Sequence, residues 1–176
     1  MEVCKVITRS GGGTAYIRNA MNYCLDDRRI LTKGYGVNQN SPEVAAMQFE
    51  KNAEFWNNGD KNPFLQLMIS FTEDTAPTAD EAMRLNEEII RPFAEEHLVM
   101  SVVHNEKRDS SLFHVHNYVS TTNYNNGSML YSDNRTNYSI AQRVADVTGK
   151  ETALSVTYEQ GKEWECPEIF TSQDEE

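Results

Sequence analysis

Apolar and polar residues alternate in several short runs of the chain, and this alternation predicts β-strands. The clearest run is 64–71, in which Leu65, Leu67, Ile69 and Phe71 would form one apolar face, because successive side chains of a strand point to opposite sides. Four further runs are rich in β-branched and aromatic residues and are predicted as strands: 3–8, 98–103, 112–120 and 154–158. Weaker candidates are 30–37, which two glycines interrupt, and 128–131.

Apolar residues at helical spacing predict four helices, each opened by a residue that can cap its first turn. The predicted caps are Thr14, Ser41 (followed by Pro42), Thr78 (in a capping box with Glu81) and Thr136, and Gly149 would end the last helix. The predicted inward positions are Ile17, Met21 and Cys24 or Leu25 in the first helix, Val44, Met47, Ala53 and Trp56 in the second, and Ala82, Leu85, Ile89 and Phe93 in the third.

These elements together predict an α+β fold. Strands and helices alternate along the chain, and at least one pair of neighbouring strands would form an antiparallel hairpin. We expect a central, mostly antiparallel sheet with helices packed on one face and the functional site on the other. A chain of 176 residues favours one domain, which we place at residues 1–160, with an acidic, flexible tail at 161–176.

Three of the four histidines fall in the stretch 102–123 and are candidate metal ligands. His114 and His116 are two residues apart in a predicted strand, so both would point to the same face. A hairpin through the polar segment 107–111 would bring His104 across from them, and three imidazoles would leave coordination positions open on a metal. A single histidine in such a sequence is usually a satisfied or surface residue, which is our interpretation of His97.

The charge of the chain argues against a simple nucleic-acid-binding surface. The formal net charge is −11, whereas polyanion binding normally accompanies a surplus of basic residues. The acid is uneven, however, because it concentrates at 73–96 and beyond residue 158, while residues 1–40 are mainly basic. The three cysteines are odd in number and far apart, which favours reduced thiols. No long apolar run or signal-peptide pattern occurs, so we expect a soluble, cytoplasmic protein without a membrane segment.

A metal held by three imidazoles can activate a phosphodiester or generate hydroxide, and tyrosine supplies a candidate nucleophile. Tyr16 and Tyr23 lie seven residues apart in the first predicted helix and so share a face. A tyrosine near a metal and a positive field can lose its proton below the usual pKa of about 10 and attack phosphorus. Packing is the commoner role for any single tyrosine.

The order of several motifs resembles the relaxase (mobilisation nuclease) family of conjugative plasmids and transposons, within the His-hydrophobic-His endonuclease superfamily. The matching segments are, in order, GGGTAYIRNAMNYCLDD, GYGVN, EVAAMQFE, LMISF, VVHNE, FHVHNYVSTTN and NNG. Together they span roughly residues 5–135, and the His-Val-His sequence with an upstream histidine is the most specific of them. The resemblance implies a relaxase-like palm and a metal-dependent enzyme that nicks and rejoins one DNA strand.

The resemblance also implies roles for individual residues. Tyr23 would be the nucleophile that forms a 5′-phosphotyrosyl link, with Tyr16 in reserve. Ser70 and Arg18 would contact the DNA, and Glu106 would orient the first histidine or assist proton transfer.

The same resemblance implies a cofactor and partners. His104, His114 and His116 would hold Mg²⁺ or Mn²⁺. The substrate would be single-stranded DNA at a transfer origin in a bacterial cytoplasm, and the partners would be accessory proteins of the DNA-processing complex and a coupling protein.

Three alternatives remain open at the level of sequence. A rolling-circle replication initiator or transposase would place its tyrosine after the histidine pair, and Tyr138 would then be the nucleophile. A relative that only binds DNA would fit the acidic charge. A metal-dependent hydrolase or dioxygenase with a three-histidine site would not depend on Tyr23.

Overall fold

The computed structural model describes residues 1–8, 14–24, 29–105, 112–158 and 162–173, with the backbone alone described at 14–16, 23, 24, 158 and 162–168. The elements are β1 (Glu2–Thr8), α1 (Thr14–Cys24), β2 (Arg29–Tyr35), α2 (Pro42–Phe55), β3 (Phe64–Ser70), α3 (Ala79–Ala94), β4 (Val99–Asn105), β5 (Phe113–Ser120), α4 (Asn134–Thr148), β6 (Thr152–Tyr158) and β7 (Lys162–Phe170).

The strands form one sheet in the order β2-β4-β5-β3-β1-β6-β7. Among the strand pairs that the structure describes, only β1–β6 is parallel, and the other five are antiparallel. The predicted α+β fold with a mostly antiparallel sheet is therefore confirmed. Within the described residues, no helix combines the length and the apolar character that a membrane span requires.

Helices cover both faces of this sheet. The larger core lies under α3 and α4 and includes Leu67, Ile69 and Val115, all fully buried. A second, smaller core joins Met21 of α1 and Phe49 of α2 to the opposite face. Our expectation that the helices pack on one face is therefore right for α3 and α4 only. The reason is that each of the four helices has an apolar side, and both sheet faces offer apolar residues to bury it.

The local sequence explains why β3 and α3 form where they do. Alternate residues of β3 point into the larger core and are buried there, as the alternating pattern predicts. Thr78 caps α3 by accepting a hydrogen bond from the backbone N–H of Glu81 at 3.1 Å. Ala82, Leu85 and Ile89 are buried as predicted, and Phe93 is half-buried.

A buried polar network fixes α3 on the two strands that carry the histidines. The side-chain amide of Asn86 donates to Asn117 at 3.0 Å, and Asn117 donates back at 2.8 Å. Ser101 donates to the same Asn117 oxygen at 2.5 Å. All three residues are fully buried, where an unpaired amide would cost about 1–3 kcal/mol. The network therefore favours a single register of α3 on β4 and β5.

Several predictions about individual elements were incomplete or wrong. The weak candidate 30–37 overlaps the strand β2, whose pairing with β4 is irregular between Arg29 and Leu31. Residues 128–131 contribute only an isolated bridge between Thr122 and Met129. In α2, Ala53 is buried as predicted, but Met47 is exposed and Phe49 is buried instead. The expectation that 154–158 is the last strand missed β7, which pairs with β6. The division of the chain at residue 160 stays a prediction.

The last helix begins earlier than predicted. Its N-cap is Asp133, whose side chain accepts a hydrogen bond from the backbone N–H of Thr136 at 2.8 Å. Thr136, the predicted cap, lies inside the first turn. Gly149 ends the helix as predicted, in the left-handed conformation at φ 69°.

Replacing the observed cap should destabilise the protein more than replacing the predicted one. We expect Asp133→Ala to lower the free energy of unfolding by about 1 kcal/mol, because one orphan N–H of α4 loses its acceptor. Thr136→Ala should change it by less than about 0.5 kcal/mol. Urea denaturation of both variants measures the difference, and a larger loss for Thr136→Ala would contradict the assignment of the cap.

The buried His97 should make stability depend on pH. Its Nδ1–H donates to the carbonyl oxygen of Ser120 at 2.7 Å, which confirms that this histidine is satisfied. Burial lowers the pKa of His97 below its usual 6.5. As pH falls below 6.5, the unfolded chain therefore takes up a proton before the folded one does, and the free energy of unfolding falls.

We expect this loss to be smaller in His97→Gln, which removes the titrating ring. The measurement is the free energy of unfolding at several pH values from 8 down to 5, for both proteins. The other histidines are present in both proteins, so their contributions to the pH dependence of the free energy of unfolding cancel in the comparison. Parallel pH profiles for the two proteins would contradict the role assigned to His97.

Candidate metal centre

The antiparallel pairing of β4 with β5 brings the three candidate histidines together. His104 lies directly across from His114, and Val102, two residues before His104, lies across from His116. Cross-strand partners point to the same face of a sheet, so the three imidazoles share one face. The intervening residues, such as Val103 and Val115, point into the larger core on the other side.

The three rings form a compact triangle. Their centroids are 5.7 Å apart for His104–His114, 4.8 Å for His104–His116 and 4.9 Å for His114–His116. One nitrogen from each ring lies within 4.8 Å of the others. His104 is 2% exposed, whereas His114 and His116 are half-buried. The site is thus anchored in the protein on one side and reachable from solvent on the other.

This donor set fits a divalent metal ion. Neutral imidazole is a common ligand for first-row transition metals, and three such ligands leave positions for substrate oxygen or water. Among the described residues, no carboxylate belongs to the cluster. Glu106, predicted to assist the first histidine, lies outside the described residues.

A glutamine from the neighbouring strand contacts the cluster. Nε2 of Gln66, on β3, is 3.5 Å from Nδ1 of His116. Gln66 pairs with Tyr118, so it is the diagonal cross-strand neighbour of His116 on the same face. Nothing in the sequence pattern singles out this residue, which lies 50 positions before its partner.

Ser70, which is predicted to contact DNA, lies next to the histidines. It ends β3 and pairs with His114 on one side and with Val3 of β1 on the other. An open groove of about 440 Å³ runs beside this pair and is lined in part by Lys5, Met68, Ser70 and His114. The groove therefore places the cation of Lys5 and the hydroxyl of Ser70 in the same cleft as a candidate metal ligand.

Arg29 is a second basic residue near the site. It begins β2, is exposed, and pairs with His104. In the sequence it is only one of several basic residues within 1–40. Its position depends on β2 joining β4 at the sheet edge, which periodicity alone did not predict.

The predicted nucleophile lies in the helix that packs on the histidine face. Ile17 and Met21 of α1 belong to the smaller core together with Val102, which is two residues from His104 on the same face. Tyr23 is the penultimate residue of α1. The side chains of Tyr23 and Tyr16 lie outside the described residues. Arg18 is exposed on the same helix.

Tyr138, the alternative nucleophile, lies elsewhere. It belongs to α4 and packs against the larger core, with its ring 5.5 Å from that of Phe170. That core occupies the sheet face opposite to the histidines. The fold therefore does not bring Tyr138 to the metal centre.

A comparison with family models agrees with this geometry. The model described as "Relaxase: MobA/VirD2-like, nuclease domain" matches residues 16–154. Comparisons with curated proteins and with solved structures gave no match. The matched region holds all three clustered histidines, Ser70 and Tyr23, and it covers well over half of the chain. The chain therefore belongs to the relaxase family, as a MobA/VirD2-like nuclease domain.

Proposed function

We propose that this domain nicks and rejoins one strand of DNA at a transfer origin, through a covalent link to Tyr23. The observation that carries the proposal is the triangle of His104, His114 and His116 beside Ser70, in a chain of the relaxase family. The domain would act in the mobilisation of a plasmid or conjugative transposon, with single-stranded DNA as substrate.

The connection from α1 to β2 supports Tyr23 as the nucleophile. Arg29, six residues after Tyr23, pairs with His104. Six residues of chain span at most about 20 Å even when fully extended. Covalent connectivity therefore keeps the end of α1 in the neighbourhood of the metal centre, on the sheet face against which α1 packs.

The proposed reaction is a transesterification. The phenolate oxygen of Tyr23 attacks the scissile phosphorus, a new P–O bond to tyrosine forms, and the P–O bond to the 3′ oxygen breaks. The products are a 5′-phosphotyrosyl link and a free 3′-hydroxyl, which takes up a proton. Because one phosphodiester replaces another, the same steps in reverse rejoin the strand. A divalent ion held by the three histidines would polarise the phosphate and stabilise the developing charge.

The groove beside the site suggests how the DNA is held. Lys5 and Arg29 stand on either side of the histidines, on strands β1 and β2. Ser70 can donate its hydroxyl to a phosphate oxygen from its place across from His114. These contacts would be made to the phosphate backbone of the DNA, so they would position a DNA strand without selecting its base sequence.

The acidic net charge is compatible with this proposal because several acidic residues lie on the other side of the sheet. Asp80, Glu88 and Glu95 are on or next to α3, which packs on the face opposite to the histidines. Exposed charges interact weakly beyond a Debye length of about 8 Å at physiological salt, and packed layers are about 10 Å apart. DNA affinity should nevertheless fall as salt rises.

The metal centre should bind Mn²⁺ more tightly than Mg²⁺, because imidazole suits transition metals better than Mg²⁺, which prefers oxygen ligands. We expect His116→Ala to weaken Mn²⁺ binding by at least about 100-fold, more than the loss of an outer-shell partner usually costs. Titration with Mn²⁺, followed by electron paramagnetic resonance, measures the Mn²⁺ affinity of the wild type and of His116→Ala. Competition with Mg²⁺ in the same experiment measures the Mg²⁺ affinity.

His97→Gln is the matched control for this titration, since His97 is buried away from the cluster and bonded to Ser120. It should bind Mn²⁺ as the wild type does. Equal affinities in His116→Ala and the wild type would contradict the proposed metal centre.

Of the candidate tyrosines, only Tyr23 should be required for the covalent intermediate. We expect oligonucleotides tiled across the transfer origin of the host element to give a protein–DNA band on a denaturing gel in the presence of Mn²⁺. Tyr23→Phe should abolish the band, because phenylalanine has the same shape and lacks the attacking oxygen.

Tyr16→Phe and Tyr138→Phe serve as controls and should retain the band. Loss only in Tyr16→Phe would move the nucleophile to that residue, and loss only in Tyr138→Phe would favour the order found in replication initiators. Absence of any band, with Mn²⁺ demonstrably bound, would favour a relative that binds DNA without cleaving it.

A further inference from the structure

We infer that Gln66 is a positioning residue of the metal centre, which holds His116 with a proton on Nδ1 so that Nε2 faces the metal. This inference rests on the proposed metal centre and adds a residue to it. Its basis is the 3.5 Å separation between the Gln66 amide and Nδ1 of His116. The amide reaches His116 across the strand boundary from β3 to β5.

The chemistry of imidazole makes this contact consequential. A neutral ring has one nitrogen that carries a proton and one that can ligate a metal. A partner at one nitrogen therefore determines which nitrogen is available to the ion. Since Gln66 reaches Nδ1, the nitrogen left for the centre is Nε2.

Glutamine can serve an Nδ1–H because its amide carries both a donor and an acceptor. The oxygen and the nitrogen of the amide exchange places on a rotation of 180° about the last side-chain bond. The structure places the amide nitrogen toward Nδ1, at 3.5 Å. After this rotation the oxygen faces His116 instead and accepts the Nδ1–H hydrogen bond. The arrangement corresponds to the outer-shell carbonyl or carboxylate that metal-bound histidines commonly use.

The strand positions explain why His116 in particular would use such a partner. His104 is 2% exposed, so packing restricts its ring, whereas His116 is half-buried and keeps more freedom. Gln66 itself is half-buried on a central strand of the sheet. A ring held from a rigid strand loses less orientational entropy when the ion binds.

The test begins with the tautomer of His116 in the metal-free protein, read from long-range ¹H–¹⁵N nuclear magnetic resonance spectra of the imidazole nitrogens. We expect the Nδ1–H form in the wild type and a shift toward Nε2–H in Gln66→Leu. This measurement needs neither metal nor DNA. It can therefore contradict the role of Gln66 without contradicting the nicking activity, and a failure of the nicking assay leaves the tautomer result valid.

The second readout is the affinity for Mn²⁺. Gln66→Leu should weaken it by about 10- to 100-fold, the usual effect of losing an outer-shell partner. Gln66→Glu should keep the affinity at least at the wild-type level, because its carboxylate also accepts from Nδ1–H. Gln48→Leu is the matched control, since Gln48 accepts a hydrogen bond from the backbone of Asn38 in another part of the protein, and it should bind Mn²⁺ normally.

Two results would overturn the inference. One is an Nε2–H tautomer of His116 in the wild type, or a tautomer that Gln66→Leu leaves unchanged. The other is an equal loss of Mn²⁺ affinity in Gln66→Leu and Gln66→Glu, which would assign the effect to packing. Should Gln66→Leu fail to fold, as judged by circular dichroism, retention of affinity and of the Nδ1–H tautomer in Gln66→Glu still supports the inference and their loss overturns it.

Discussion

The register of β4 against β5 is the constraint on which the metal centre depends. His104 is opposite His114, and the next residues inward, Val103 and Val115, are opposite each other in the core. A slip of one residue would exchange the two faces of a strand, so that Val115 would take a place at the centre and His114 would be buried. The apolar residues of the core therefore determine where the imidazoles stand.

The buried amide network strengthens this register. Ser101 and Asn117 form a cross-strand pair, and Asn86 of α3 reaches both of them. A slipped register would leave buried amide groups without partners, at a cost of about 1–3 kcal/mol for each group. Hydrogen-bonded polar groups in the core thus disfavour a slipped register, whereas valines, which can replace one another in the core, do not. The metal face and the network lie on opposite sides of the same two strands.

Sequence periodicity was sufficient for the parts of the site that lie close together along the chain. His114 and His116 share a face because strand side chains alternate, and a short hairpin brings His104 to them. The family resemblance, carried by the same stretch, is confirmed by the match over residues 16–154. The roles of Tyr23, Ser70, Arg18 and Glu106 stay predictions.

The parts that sequence did not predict depend on which strands become neighbours. Gln66 meets His116 because β3 lies beside β5, and Arg29 meets His104 because β2 joins β4. An alternating pattern identifies a strand and its buried face but not its partner. The same limit explains why α1 and α2 were expected on the wrong face. The apolar residues that they cover on β4 and β5, which are Met100, Val102 and Tyr118, share the face of the histidines.

The proposed reaction also fits the division of the site between two kinds of element. The metal ligands stand on central strands, which restrict the rings through burial and hydrogen bonds on both sides. Tyr23 instead stands near the end of a helix, which a short connection ties to the strand across from His104. Rejoining requires the tyrosyl phosphate to remain at the centre while the other DNA end departs and returns. At most about 20 Å of extended chain connects Tyr23 to the strand beside the metal centre. This connection is covalent and does not depend on bound DNA, so Tyr23 stays near the centre during both cleavage and rejoining.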